Sequence, residues 1–83
     1  MEWEIIAAKY LEEFKLLLTF RDSSTKVVDL KDRLSGPIFE PLKDIEYFKS
    51  FKLNTELDTI YWENGADFAP EFLYDIGVPC QPR

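Results

Sequence analysis

Four carboxylates, Glu63, Asp67, Glu71 and Asp75, recur at four-residue spacing near the C-terminal end of the chain. Residues four apart share one face of a helix, so Glu71 and Asp75 are neighbours if that segment is helical. Paired carboxylates can hold a hard divalent cation or divide acid and base roles between them. Calcium loops require a run of the form Asp-x-Asp-x-Asp-Gly, and the chain has none. The competing reading is helix capping and a solvated helix face. Rings are interleaved with these acids: Tyr61, Trp62, Phe68, Phe72 and Tyr74. A ring array can stack the bases of a single strand, but such a groove also needs basic residues to follow the phosphates. The charges here are acidic, which leaves core packing or a protein interface, where Tyr and Trp are enriched. The candidate interaction face is therefore Tyr61, Trp62, Asp67, Phe68, Glu71, Tyr74 and Asp75.

Other chemistries lack their residues. The chain has no histidine, which removes the commonest general base and the commonest neutral metal ligand. Gly36, Gly65 and Gly77 are too scattered for a phosphate-cradling loop or a dinucleotide fingerprint. One cysteine, Cys80, permits no internal disulfide and no cysteine-rich metal site, and fits a reducing compartment. No catalytic, cofactor-binding or metal-ligating residue is expected.

Short elements must position these groups. Trp3 to Ala8 is mostly apolar and strand-like. Phe14, Leu16, Leu18 and Phe20 alternate with Lys15, Leu17 and Thr19, the period-two pattern of a half-buried strand. A hairpin through Leu11-Glu12-Glu13 would join the two, although Ala7–Glu13 also has helical character. Arg21-Asp22-Ser23-Ser24 reads as a turn, because Asp and Ser bond their own backbone, and Thr25–Asp29 returns as a third strand. Leu30–Leu34 reads as one helical turn, with Asp29 as its cap, Asp32 at capping-box spacing, and Gly36-Pro37 ending it.

Ile38–Leu42 is an apolar crossover. Asp44 caps a short helix over Ile45–Lys49, whose Tyr47 and Phe48 cover the sheet. Phe51–Asn54 and Thr59–Trp62 form a second hairpin, with Phe51, Leu53, Ile60 and Trp62 pointing to the core. Asn64-Gly65 is a turn dipeptide that tolerates positive φ. Pro70 suits the first position of a helix, Glu71 sits near the positive end of its dipole, and Gly77 stops it.

This pattern predicts an α+β fold: a small antiparallel sheet of about five strands (a three-strand meander, then a two-strand hairpin) with two or three short helices. Open sheet edges would offer a route to partners by strand pairing. A single domain is expected over residues 1–77, with residues 78–83 as a tail. Eighty-three residues at 46% hydrophobic, with seven Phe, four Tyr and two Trp, supply one small core without staples.

A net charge of −6 disfavours unaided contact with nucleic acid and permits a basic partner. No apolar run approaches the ~20 residues of a membrane span. Met1-Glu2-Trp3-Glu4 lacks the positive region of a signal peptide. The expectation is a cytoplasmic protein that binds neither membrane nor nucleic acid directly. Its partner is another small protein or a second copy of itself.

The chain resembles a family of short bacterial proteins, domain-of-unknown-function family 2442. The matching blocks are Leu18-Thr19-Phe20, Val28-Asp29-Leu30, Gly36-Pro37-Ile38-Phe39-Glu40-Pro41-Leu42-Lys43-Asp44 with Phe48, and Ile60 through Tyr74. Members often carry Trp-Pro-Asn-Gly in the last block. This chain has Glu63 at the proline position, which loosens the preset turn. Ala69 stands where a capping Ser or Asp is usual, so Asp67 is the substitute cap expected for the last helix.

The resemblance implies a small α+β domain with no established activity. Some relatives join it to a C-terminal helix-turn-helix, and others lie beside a small reading frame in a toxin–antitoxin-like arrangement. No DNA-reading module is expected after Gly77. The implied role is a non-catalytic interaction module, antitoxin-like in that it works by partner contact. The alternative is an accessory transcriptional regulator acting through a DNA-binding partner. A carboxylate-based metal site or enzyme is a third reading.

Overall fold

The computed structural model describes residues 3–80. Met1, Glu2 and Gln81–Arg83, the ends of the N-terminal segment and of the expected tail, lie outside the described residues.

Strand β1, Ile5–Glu12, pairs antiparallel with β2, Lys15–Phe20, and β2 pairs with β3, Thr25–Asp29. This is the predicted meander. The period-two pattern decides which way β2 faces: Leu16, Leu18 and Phe20 are fully buried, while Lys15, Leu17 and Thr19 turn to the other side. The first strand runs four residues beyond its predicted end at Ala8. Glu13 takes φ +49°, so the reversal falls at Glu13-Phe14 rather than across Leu11–Glu13. The Tyr10 hydroxyl donates to the Glu13 carbonyl at 3.0 Å and closes that turn. The next turn forms as composition predicts. Asp22 Oδ1 accepts from the Ser24 backbone N–H at 2.8 Å and from the Ser24 hydroxyl at 2.6 Å.

A 3-10 turn, Lys31–Arg33, follows β3. The turn starts one residue later than predicted, with Leu30 at its cap position, and Asp29 still supplies the expected side-chain bond, accepting from the Lys31 N–H at 3.0 Å. The crossover carries a second 3-10 turn, Glu40–Lys43, and leads to α1, Ile45–Phe48. Asp44 caps α1 as predicted, accepting from the Glu46 N–H at 3.2 Å. Strands β4, Lys52–Asn54, and β5, Thr59–Tyr61, form the predicted hairpin as a separate two-stranded sheet. Helix α2, Pro70–Ile76, starts on Pro70. Its cap residue, Ala69, makes no side-chain cap bond, so the substitute cap at Asp67 is not formed.

The chain then adds a sixth strand that the sequence reading placed in a tail. Val78–Pro79, β6, pairs with β3 at Val27 and Lys26, giving a four-stranded order β1-β2-β3-β6. Gly77 permits this return. A Cβ there would stand 2.8 Å from Lys26 Cβ and 3.1 Å from the Leu73 carbonyl oxygen. Its φ is −66°, so the glycine serves close approach and not a left-handed turn.

One core joins both sheets and both helices: Ile5, Leu16, Leu18, Phe20 and Val28 from the large sheet, Ile60 and Trp62 from the second hairpin, Leu42 and Phe48 from the crossover, and Leu73 from α2. Trp62 is at its centre. Its ring meets Phe48, Phe51 and Phe68, and its indole N–H donates to the Phe48 carbonyl at 3.0 Å. Burying a ring of this size removes roughly 150–250 Å² from water, at most about 4–6 kcal/mol before entropy is counted. No helix among the described residues is long and apolar enough to cross a membrane.

Candidate functional site

The turn after β5 governs the C-terminal region. The Gly65 N–H donates to the Trp62 carbonyl at 3.0 Å and the Trp62 N–H to the Ala66 carbonyl at 2.8 Å, enclosing a three-residue loop. Gly65 alone in it has positive φ, +94°, the arrangement of a hairpin that ends in a glycine bulge. Asn64 does more than turn the chain. Its Oδ1 accepts from the Ala66 N–H at 3.0 Å, its Nδ2 donates to the Ile38 carbonyl at 2.9 Å, and its backbone N–H donates to the Tyr47 hydroxyl at 3.0 Å. One residue thus ties the turn to the crossover and to α1. Glu63, at the turn's proline-favouring position, pairs with Lys52 of β4 at 2.8 Å. The pairing lowers the Glu63 pKa and raises that of Lys52 through their hydrogen bond and opposite charges.

The seven candidate residues divide into two sets. Trp62 and Phe68 are only 1% and 8% exposed and belong to the core, so they offer a partner nothing; this corrects the expected aromatic face. Phe68 lies between Phe39, 5.0 Å away, and Phe72, stacked at 6.0 Å, and its carbonyl accepts from the buried Thr59 hydroxyl at 2.7 Å. Asp67, Glu71 and Asp75 are exposed, with Tyr61 and Tyr74 half-buried. Tyr61 and Asp67 are held opposite each other by a β-bridge. Glu71 and Asp75 stand one turn apart on α2. Among the described residues, none of the three acids makes an ion pair.

Tyr74 is fixed by groups that the sequence reading did not connect to it. Its ring meets Phe20 edge-on at 4.9 Å, and Lys26 Nζ lies 3.6 Å from the ring centroid. Lys26 also donates to the Tyr74 carbonyl at 2.7 Å. That carbonyl lies in the last turn of α2, the negative end of the helix, which has no basic residue of its own. The Tyr74 hydroxyl donates to Asp22 Oδ2 at 2.5 Å. Hydrogen bonds from the Ser24 hydroxyl, then the Tyr74 hydroxyl, then the Ser24 backbone bring the Asp22 pKa down to about 2. A usable signal for Lys26 was present: on β3 it shares the parity of buried Val28, so it is a lysine on the inward face of a strand.

No three His, Cys, Asp or Glu side chains among the described residues are grouped so as to hold a metal ion, and the described surface has no pocket. The arrangement can present a firmly seated acidic helix face with two tyrosines at its margin. Comparison with curated proteins and with solved structures gave no match. The family described as "Protein of unknown function (DUF2442)" matches residues 5–79, nearly the whole chain. With the α+β fold and the Trp62–Tyr74 block in place, the chain belongs to DUF2442, a family of proteins of unknown function.

Proposed function

We propose that this protein is a non-catalytic interaction module that takes a basic patch of another small cytoplasmic protein against α2, in the manner of an antitoxin-like component. The observation that carries the reading is a set of three acids, exposed and without ion pairs among the described residues: Glu71 and Asp75 on a helix seated by Leu73 and Tyr74, and Asp67 in the bridge to Tyr61 just before it. Other acids, such as Glu12, Glu40 and Glu63, are already paired with a lysine. Tyr61 and Tyr74 flank the set and supply amphipathic contact area. The absence of histidine and the net charge of −6 in the sequence fit a binding role.

The test co-expresses the tagged chain with the product of the adjacent reading frame and follows binding by calorimetry at two salt concentrations. The expected result is a stoichiometric complex that weakens with salt. It should be lost in the double variant Glu71→Lys, Asp75→Lys while the thermal melt stays in place. No complex, or one indifferent to both salt and charge reversal, overturns the reading.

A further inference from the structure

The four-stranded sheet has a second face, opposite the core. On it Lys15, Leu17 and Thr19 of β2 stand in register beside Asp29, Val27 and Thr25 of β3, and Val78 of β6 lies beside Val27. Leu17, Val27 and Val78 are apolar, yet they belong neither to the core nor to the partly buried side chains packed on it, and Val78 is 65% exposed. Across β2, β3 and β6 the face therefore carries an apolar row, a threonine row and a charged row, set by the ladder itself, and on β1 the apolar row ends in Lys9 and the threonine row in Ala7. Lys15 and Asp29 are ladder partners but make no ion pair with each other. Lys15 reaches Glu12 at 3.7 Å, and Asp29 accepts from the Lys31 N–H.

We infer that this face is a self-association surface, on which two copies pack sheet against sheet about a two-fold axis parallel to the strands and midway between β2 and β3. That operation lays β2 of one copy over β3 of the other. Lys15 then faces Asp29 of the second copy, Leu17 faces Val27, and Thr19 faces Thr25, each contact occurring twice. A two-fold axis perpendicular to the strands would instead set Lys15 over Thr19 and Asp29 over Thr25, leaving both charges unmatched. The match of Lys15 to Asp29 thus selects a second copy as occupant and one docking mode, which also sets Lys9 of β1 over Val78 of β6 at the rim of the contact. Sheets packed this way lie about 10 Å apart with strands about 30° off parallel. Four short strands offer roughly 300 Å² of footprint per copy, well under the ~800 Å² per partner of a stable interface, so the pair is weak and exchanges quickly. The surface is on the side of the sheet opposite the core contacts of Leu73 and Tyr74, so it is separate from the acidic helix face.

Sedimentation velocity of the full chain over a concentration series tests the inference. The expected result is a mass that rises with concentration from the 9.8 kDa of one chain toward twice that. Lys15→Glu and Asp29→Lys should each stay monomeric, since like charges then meet across the axis. Mixed in equal amounts, the two variants should associate again, because position 15 of one faces the opposite charge at position 29 of the other at both contacts. That rescue cannot arise from folding within either chain. Circular dichroism melts of each variant confirm the fold, which matters for Asp29→Lys because it loses the bond to Lys31. The inference is overturned by a monomer up to about 1 mM, by single variants that still dimerise, or by a mixture that stays monomeric. None of these outcomes bears on the acidic face.

Discussion

Asn64 shows how one side chain can hold three segments at once. Asn64→Ala removes the acceptor for the Ala66 N–H and the donor to the Ile38 carbonyl. At about 1 kcal/mol per bond, with more for a group left partly buried, the expected loss is about 1–3 kcal/mol, read by urea unfolding. A loss under a few tenths would show that the turn, and not its ties, is what matters. Asp22 gives a pH signature. Its folded pKa, about 2, lies below the ordinary 3.8, so the ionised carboxylate favours the folded state. Its contribution is therefore complete above 3.8 and lost as pH falls through about 2. Carboxyl NMR titration should find the Asp22 midpoint raised more by Ser24→Ala than by Tyr74→Phe, following the order of the hydrogen bonds that hold it down. The sequence made the local half of this legible, since Asp-Ser-Ser reads as a turn. The Tyr74 half spans 52 positions and has no local pattern.

Among the elements, β2 was the most readable, because strict alternation of Leu16, Leu18 and Phe20 with Lys15, Leu17 and Thr19 admits one orientation. The helix starts at Asp44 and Pro70 were readable for the same kind of reason: a cap oxygen and a fixed φ are local chemistry. β6 was not. Two residues carry no period, and Val78–Pro79 becomes a strand only because Gly77 lets the chain close on Lys26. Gly77→Ala tests that dependence directly. The added methyl would meet Lys26 Cβ, an atom fixed by the β3 backbone, so the clash cannot be relieved by rotating a flexible tip. Overpacking costs about 1–3 kcal/mol, offset by about 0.4–1 kcal/mol from a stiffer unfolded chain. The expected result is a lower denaturation midpoint together with faster amide exchange at Val27, the β3 partner of Val78. An unchanged midpoint would mean that β6 contributes nothing to the fold. The aromatic face was half legible at this scale: the alternation of its strand points Trp62 to the core, whereas Phe68 lies outside any strand, and only Phe39 of the crossover and Phe72 of α2 show that it is covered.

For the molecule as a whole, two sheets share one core, with Trp62 between Phe48 and Phe68 at their junction. Unfolding should therefore be a single transition. Tryptophan fluorescence and far-ultraviolet circular dichroism should give superimposable urea curves, and separated midpoints would show that the β4–β5 hairpin melts by itself. The two proposed surfaces divide along the same architecture, with the acidic residues on the helix side and the Lys15–Asp29 register on the open sheet face. The sheet's rims have a different consequence. β6 is two residues long and ends in Pro79, which has no N–H to offer, and β1 is interrupted by register shifts near both of its ends. A chain this rich in β-branched and aromatic residues would otherwise template fibrils edge to edge. These rims should keep concentrated solutions free of amyloid growth, even where weak face-to-face pairing is populated.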